Sequence, residues 1–123
     1  MEFAGERTLM RVFIGESDRC PAGPHRGKPL HEALLLTLRE TGFAGATVVR
    51  GISGFGASAR IHTEKVLRLS LDLPIIVEVV ETEEKIAAIL PELEALIGGG
   101  LITLERARVV LYRPADRGEG DGG

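Results

Sequence analysis

The chain has few aromatic residues and little net charge, and both shortages exclude functions. It contains four Phe, one Tyr and no Trp among 123 residues. So few rings cannot form an extended surface on which nucleic-acid bases stack. The formal net charge is -3, which provides no general attraction to a polyanion. We therefore expect no nucleic-acid partner.

Cysteine and long apolar runs are also scarce. Cys20 is the single cysteine, so no disulfide can form within the chain, and a cytoplasmic location is expected because no signal-peptide pattern is present. Runs such as LPIIVEVV are too short to cross a bilayer as helices.

The length of the chain fits one domain, which we place at residues 1–113. Residues 114–123 have the composition of a disordered tail.

Hydrophobic periodicity predicts four strands and two helices. Residues 1–8 are polar and are expected to be loose, and a polar loop follows the first strand. The first helix begins after Pro29 and ends at Gly42, and Thr82 is the expected N-cap of the second helix. The last strand is expected to be interrupted near Glu105 and Arg106. The predicted strands are 9–14, 46–52, 75–81 and 101–112.

The order β-α-β-β-α-β predicts a ferredoxin-like α+β sandwich, with an antiparallel or mixed four-stranded sheet and both helices on one face. Strands one and three are expected to be parallel neighbours. Whichever sheet face the helices cover, the other face keeps several apolar residues, which predicts a subunit interface. Arg11 and Glu78 interrupt the apolar pattern of these two strands, and we expect them to pair because burying either charge alone is costly.

The segment GATVVRGISGFGAS follows the first helix and contains three glycines within six residues, Gly51, Gly54 and Gly56. Such a segment lets a ligand or another chain approach the backbone closely. It predicts the root of a mobile functional loop over residues 56–72, although a β-bulge or hairpin explains the glycines about equally well. Gly98, Gly99 and Gly100 form either a plain turn or a cradle for phosphate oxygens.

The other candidate functional residues are mostly explained without a chemical role. The three histidines lack the spacing of metal ligands, and no serine lies in a nucleophile elbow. We therefore expect no metal site, no catalytic residues and no enzyme activity. Lys28 precedes a helix N-terminus, where a positive charge is disfavoured, and this conflict is a weak indication of function.

Three segments, GATVVRGISGFG, IHTEKV and LPIIVEVVETEEKI, resemble the PII-like signalling proteins. The resemblance is closer to the group named domain of unknown function 190 and runs from LMRVFIGESD through GKPLHEALL to GLITLERARVVLY. It implies a ferredoxin-like homotrimer whose clefts between subunits bind an adenine nucleotide, with a mobile loop after GFG that signals to a partner. Some members are encoded beside fluoride channels, which implies a membrane channel or transporter as that partner.

The resemblance also implies particular site residues. Thr47 matches the strand-two threonine of the PII nucleotide site, and Gly54, Phe55 and Gly56 match the loop root. Arg113 matches one of two phosphate-contacting arginines, but Leu111 occupies the position of the other. The Gly98–Gly100 turn lacks the phosphate lysine, for which Lys28, Arg26 or Arg60 are candidate replacements. A smaller ligand such as AMP or ADP is therefore expected rather than a triphosphate.

Three hypotheses follow from the sequence. The first is a trimeric sensor of a small nucleotide or metabolite, bound where the Gly54–Gly56 root, the Gly98–Gly100 turn of an adjoining subunit and Arg113 meet. The second is a ligand-free interaction module that regulates a membrane transporter or channel. The third, a small enzyme, is the weakest because no acid, base and nucleophile set is visible.

Overall fold

A computed structural model describes residues 2–55 and 72–115. Within these residues, four strands and two helices follow one another in the predicted order. The strands are β1 (Phe3–Gly15), β2 (Thr47–Arg50), β3 (Pro74–Glu81) and β4 (Leu101–Tyr112), and the helices are α1 (Leu30–Glu40) and α2 (Glu83–Leu96). The mobile loop predicted over residues 56–72 lies outside the described residues except for Asp72, as do positions 116–123 of the predicted tail.

The strands form one sheet in the order β2-β3-β1-β4, and all neighbours are antiparallel. This is the ferredoxin-like α+β arrangement expected from the sequence. The expectation that β1 and β3 are parallel was wrong, because each helix joins two parallel strands that are separated by a third. Arg11 lies directly opposite Glu78 in the β1–β3 register.

The core lies between the helices and one face of the sheet. Met10, Val12 and Ile14 of β1 alternate with exposed or half-buried neighbours, as period-two patterning requires. Cys20, in the segment between β1 and α1, also belongs to the core. The other buried apolar residues come from β3, α1 and α2: Ile75, Val77, Val79, Leu30, Ala33, Leu34, Leu38, Ile86, Ile89 and Leu93. Each fully buried Leu or Ile side chain contributes about 1.5–3 kcal/mol to folding, so this layer supports the whole sheet.

The helix ends are where the sequence placed them. Thr82 Oγ1 accepts the Lys85 N–H at 3.2 Å, which satisfies one of the free donors in the first turn of α2. After α1, Gly42 adopts φ +90°, and the Phe43 N–H donates to the Leu38 carbonyl at 3.1 Å. These bonds are typical of a glycine-terminated helix.

Three strand boundaries differ from the prediction. β1 begins at Phe3 rather than Leu9, because residues 3–8 form a ladder with residues 106–112 of β4. β4 continues through Glu105 and Arg106, whose side chains pair with Arg11 and Glu6 and leave the backbone ladder intact. β2 is shorter than expected and spans only Thr47–Arg50. Together, the early part of β1 and the late part of β4 form a two-stranded ribbon.

Candidate functional site

Most of the predicted site residues lie at one end of the sheet, which we call the loop end: the edge where β1 and β2 finish and β3 and β4 start. Pro74, the first residue of β3, lies between the ends of β1 and β2. It pairs with Gly15 of β1, and its carbonyl accepts the N–H of Gly51, which follows β2, at 2.7 Å. The Gly54–Phe55 root follows Gly51 at this end. The Gly98–Gly100 turn leads into β4 at the same end, so one chain brings both glycine segments there.

Two of these glycines have packing roles. Gly54 has φ +150°, and a Cβ there would lie 3.0 Å from Cγ of Pro74. A Cβ on Gly100 would lie 2.5 Å from the Phe13 carbonyl oxygen, which is closer than real Cβ atoms approach. Glycine is therefore required for the turn into β4 to pass over the end of β1. By contrast, a Cβ on Gly98 would meet no atom of the described residues within 4 Å.

The loop root exposes large apolar side chains. Phe55 is 71% exposed and Ile52 is 93% exposed. Gly56, the last glycine of the predicted root, lies outside the described residues. Side chains of this size on the surface beside a glycine-rich segment are suited to contact with another molecule.

Thr47 lies at the opposite end of β2 from the loop root. It is exposed and stands opposite Glu78, so it belongs to the sheet face that the helices leave open. The length of β2 separates it from Arg50 by about 10 Å. Within one chain, Thr47 is therefore on the sheet face rather than beside the glycine turn.

Arg113 follows the end of β4, far from the loop end. The twelve residues of β4 span about 35–40 Å in extended conformation, so Arg113 and the Gly98–Gly100 turn of the same chain do not meet. Arg113 Nε donates to Glu2 Oε2 at 2.9 Å, with both side chains about 60% exposed. An exposed pair of this kind is worth at most about 1 kcal/mol, so Glu2 holds Arg113 only weakly.

Lys28 lies at the loop end, in the segment that precedes α1. Its carbonyl accepts the Cys20 N–H at 2.9 Å, and the nearby Leu30 N–H donates to the Asp18 carbonyl at 2.8 Å. These bonds fold residues 18–30 into an ordered turn, where the sequence predicted only an irregular loop. The Lys28 side chain is exposed and adds positive charge to this end.

The structure adds three carboxylates that the sequence reasoning missed. Asp72 accepts hydrogen bonds from the Ser17 N–H at 3.2 Å and from Ser17 Oγ at 2.9 Å. Asp18 accepts the Gly15 N–H at 3.0 Å, and Glu16 pairs with Arg50 at 2.6 Å. The Glu-Ser-Asp run directly after β1 was the sequence feature from which the two carboxylates of Glu16 and Asp18 could have been predicted. Negative charge here opposes the binding of a highly charged anion.

The open face of the sheet carries a charged centre within an apolar surround. Arg11 Nε donates to Glu78 at 2.8 Å, and Arg11 Nη1 donates to Glu105 at 2.9 Å, which confirms the predicted Arg11–Glu78 pair. The hydrogen bond to Glu78 is the main cause that raises the pKa of Arg11. Half-buried or exposed apolar side chains surround this triad: Leu9, Phe13, Val49, Ile76, Val80 and Leu101.

Two of the three histidines lie within the described residues. His25 Nε2 lies 3.1 Å from Glu40 Oε1, His31 lies in the first turn of α1, and His62 is outside the described residues. Across residues 2–55 and 72–115, no group of three or more His, Cys, Asp or Glu side chains is arranged to hold a metal ion. No helix in this part of the chain is long and apolar enough to cross a membrane.

Comparison with known proteins places the chain in a family. The model of DUF190, described as "Uncharacterized ACR", matches residues 7–109. Two UPF0166 proteins of Aquifex aeolicus are 37% and 42% identical to the chain over 105 and 104 residues. Each alignment covers 85% of this chain, and they cover 94% and 97% of those proteins.

A more distant relative gives the same assignment. A UPF0166 protein of Methanocaldococcus jannaschii is 31% identical over 102 residues, which cover 82% of this chain and 89% of that protein. The region that the DUF190 model matches, residues 7–109, includes both helices and most of the sheet. The chain belongs to the DUF190 family.

Proposed function

We propose that the protein is a PII-like regulatory sensor, a homotrimer that binds a small ligand in the clefts between its subunits. The open sheet face is the observation that carries this proposal. It presents apolar side chains such as Phe13, Ile76 and Val80 around an internally paired charged triad. Burial of such a face between subunits removes apolar surface from water while the Arg11 pairs compensate its charges.

The positions of the glycine turn and Arg113 support a site made by two subunits. The Gly54–Phe55 root and the Gly98–Gly100 turn share the loop end, whereas Arg113 lies at the other end of β4. The Arg113 guanidinium therefore reaches the glycine segments only from a second chain. In the proposed cleft, backbone N–H groups and this guanidinium bind the phosphate of the ligand.

The charges at the loop end favour a ligand with few phosphates. Lys28 and Arg50 are exposed cations there, as are Arg19 and Arg26 of the turn that precedes α1, and Glu16, Asp18 and Asp72 offset part of this positive charge. We propose AMP or ADP rather than ATP as the ligand. The role assigned is binding and regulation in the cytoplasm rather than catalysis.

Calorimetry with AMP, ADP and ATP tests this proposal, with Arg113→Ala as the test variant. Loss of one charge-assisted hydrogen bond weakens binding by about tenfold. Arg108→Ala is the matched control, because Arg108 is an exposed arginine of β4, five residues before Arg113. We expect it to bind as wild type. If neither wild type nor variant binds any of the three nucleotides, the sensor proposal fails.

The exposed loop root favours a second candidate function, a ligand-free interaction module. Ile52 and Phe55 present large apolar surfaces beside the segment that leads away from β2. We propose a membrane transporter or channel as the partner in that case. Trimer formation without nucleotide binding, together with loss of partner binding in Phe55→Ser, distinguishes this function from the sensor.

A further inference from the structure

A groove runs between α2 and the outer strand β4, away from the loop end and from the open sheet face. Since α2 packs over β1, the side of β4 that faces the helix layer is covered only at its start, where Ile102 packs against the core. Leu104 shows this directly: it is 48% exposed, although its strand partner Met10 is fully buried. The groove has a volume of about 720 Å³, and its apolar floor comprises Ile86, Ala87, Leu90 and Leu104.

One wall of the groove is acidic. Glu83 and Glu84 form the first turn of α2, and both are exposed. Neither makes an ion pair with another described residue. The facing wall carries Arg106, which pairs with Glu6 at 3.5 Å while both side chains are exposed, and Arg7 also lines the groove. The acidic charge is concentrated on the α2 side, so an incoming molecule meets negative charge there.

The β4 backbone provides a second means of recognition. β4 is an outer strand of the sheet and pairs with β1 along one side only. On its other side, a row of N–H and C=O groups has no strand partner among the described residues. An edge of this length accepts an added strand readily, and side chains of that strand facing the helix layer would lie over Leu104.

We propose that this groove binds an extended segment of a partner protein in which every second residue is apolar or basic, so that both kinds of side chain face the helix layer. The segment adds to the edge of β4, places its apolar side chains on the Leu104 and Leu90 floor, and presents its basic side chains to Glu83 and Glu84. This surface is separate from the nucleotide cleft and does not depend on it. A second copy of β4 fits less well, because antiparallel pairing about residue 107 places Arg106 opposite Arg108, which is destabilising.

Fluorescence anisotropy tests the groove with a labelled peptide in which Val and Lys take turns at every second position, separated by Thr, which we call the Val/Lys peptide; the Val/Glu peptide replaces each Lys with Glu. Glu83→Gln combined with Glu84→Gln removes the acidic wall, and Glu92→Gln combined with Glu94→Gln is the matched control, since these residues are exposed on the same helix. We expect about fivefold weaker binding in the first variant and unchanged binding in the control. A Val/Glu peptide should bind at least tenfold more weakly than the Val/Lys peptide. Backbone N-methylation should abolish binding of the Val/Lys peptide.

Several outcomes overturn the proposal. These are failure of wild type to bind the Val/Lys peptide, equal weakening in the control variant, and equal binding of the Val/Glu peptide. Amide hydrogen exchange gives an independent readout, with peptide-induced protection expected along residues 101–110. Protection of those residues without peptide, lost on dilution, would show that a second copy of the chain occupies the edge instead.

Discussion

At the scale of single residues, packing explains much of what the glycines do. Gly100 lets the turn before β4 approach the Phe13 carbonyl oxygen, whereas Gly98 in the same turn has open space around it. Substitutions at these two positions can therefore distinguish a glycine needed for packing from one needed for ligand binding. A glycine needed only for packing affects stability, and one needed only for a ligand affects affinity.

Gly100→Ala should lower the free energy of unfolding by about 2 kcal/mol or more, because the new methyl group collides with the Phe13 carbonyl. Gly98→Ala is the control within the same turn and should change stability by less than about 1 kcal/mol. Urea denaturation measures both values. Equal stability of the two variants would contradict the packing role of Gly100.

At the scale of elements, the helices were the most predictable part of the chain. The apolar stripe of α1, its end at Gly42 and the Thr82 cap were all visible in the sequence, because helix patterns and caps involve residues close in sequence. The ribbon of residues 3–8 with 106–112 was not predicted. Its stability comes from a partner strand roughly a hundred residues away, and its own pattern is only weakly apolar.

Thr82→Ala should destabilise the protein by about 1 kcal/mol, because it removes the acceptor for the Lys85 N–H at the start of α2. Thr82→Ser keeps a hydroxyl acceptor and should remain close to wild type. Thermal unfolding of both variants provides the measurement. A Thr82→Ser variant as unstable as Thr82→Ala would assign the loss to the methyl group rather than to the cap.

At the scale of the whole molecule, the proposed trimer depends on two features, the open sheet face and the separation of the site residues. The sequence predicted the apolar face and the Arg11–Glu78 pair, because alternation along a strand assigns residues to faces. It did not predict that Arg11 also pairs with Glu105, or that the two glycine segments of one chain both lie at the loop end of the sheet. Both depend on β4 lying beside β1, a contact between distant parts of the sequence.

The mass of the protein in solution tests the central proposal most directly. Light scattering at micromolar concentration should give three times the chain mass of 13.2 kDa. Ile76→Glu should reduce this value because it places an uncompensated charge on the open face. Leu35→Glu, a matched change on the exposed side of α1, should leave the trimer intact. A wild-type mass of 13.2 kDa would contradict the account, since no cleft between subunits would then exist.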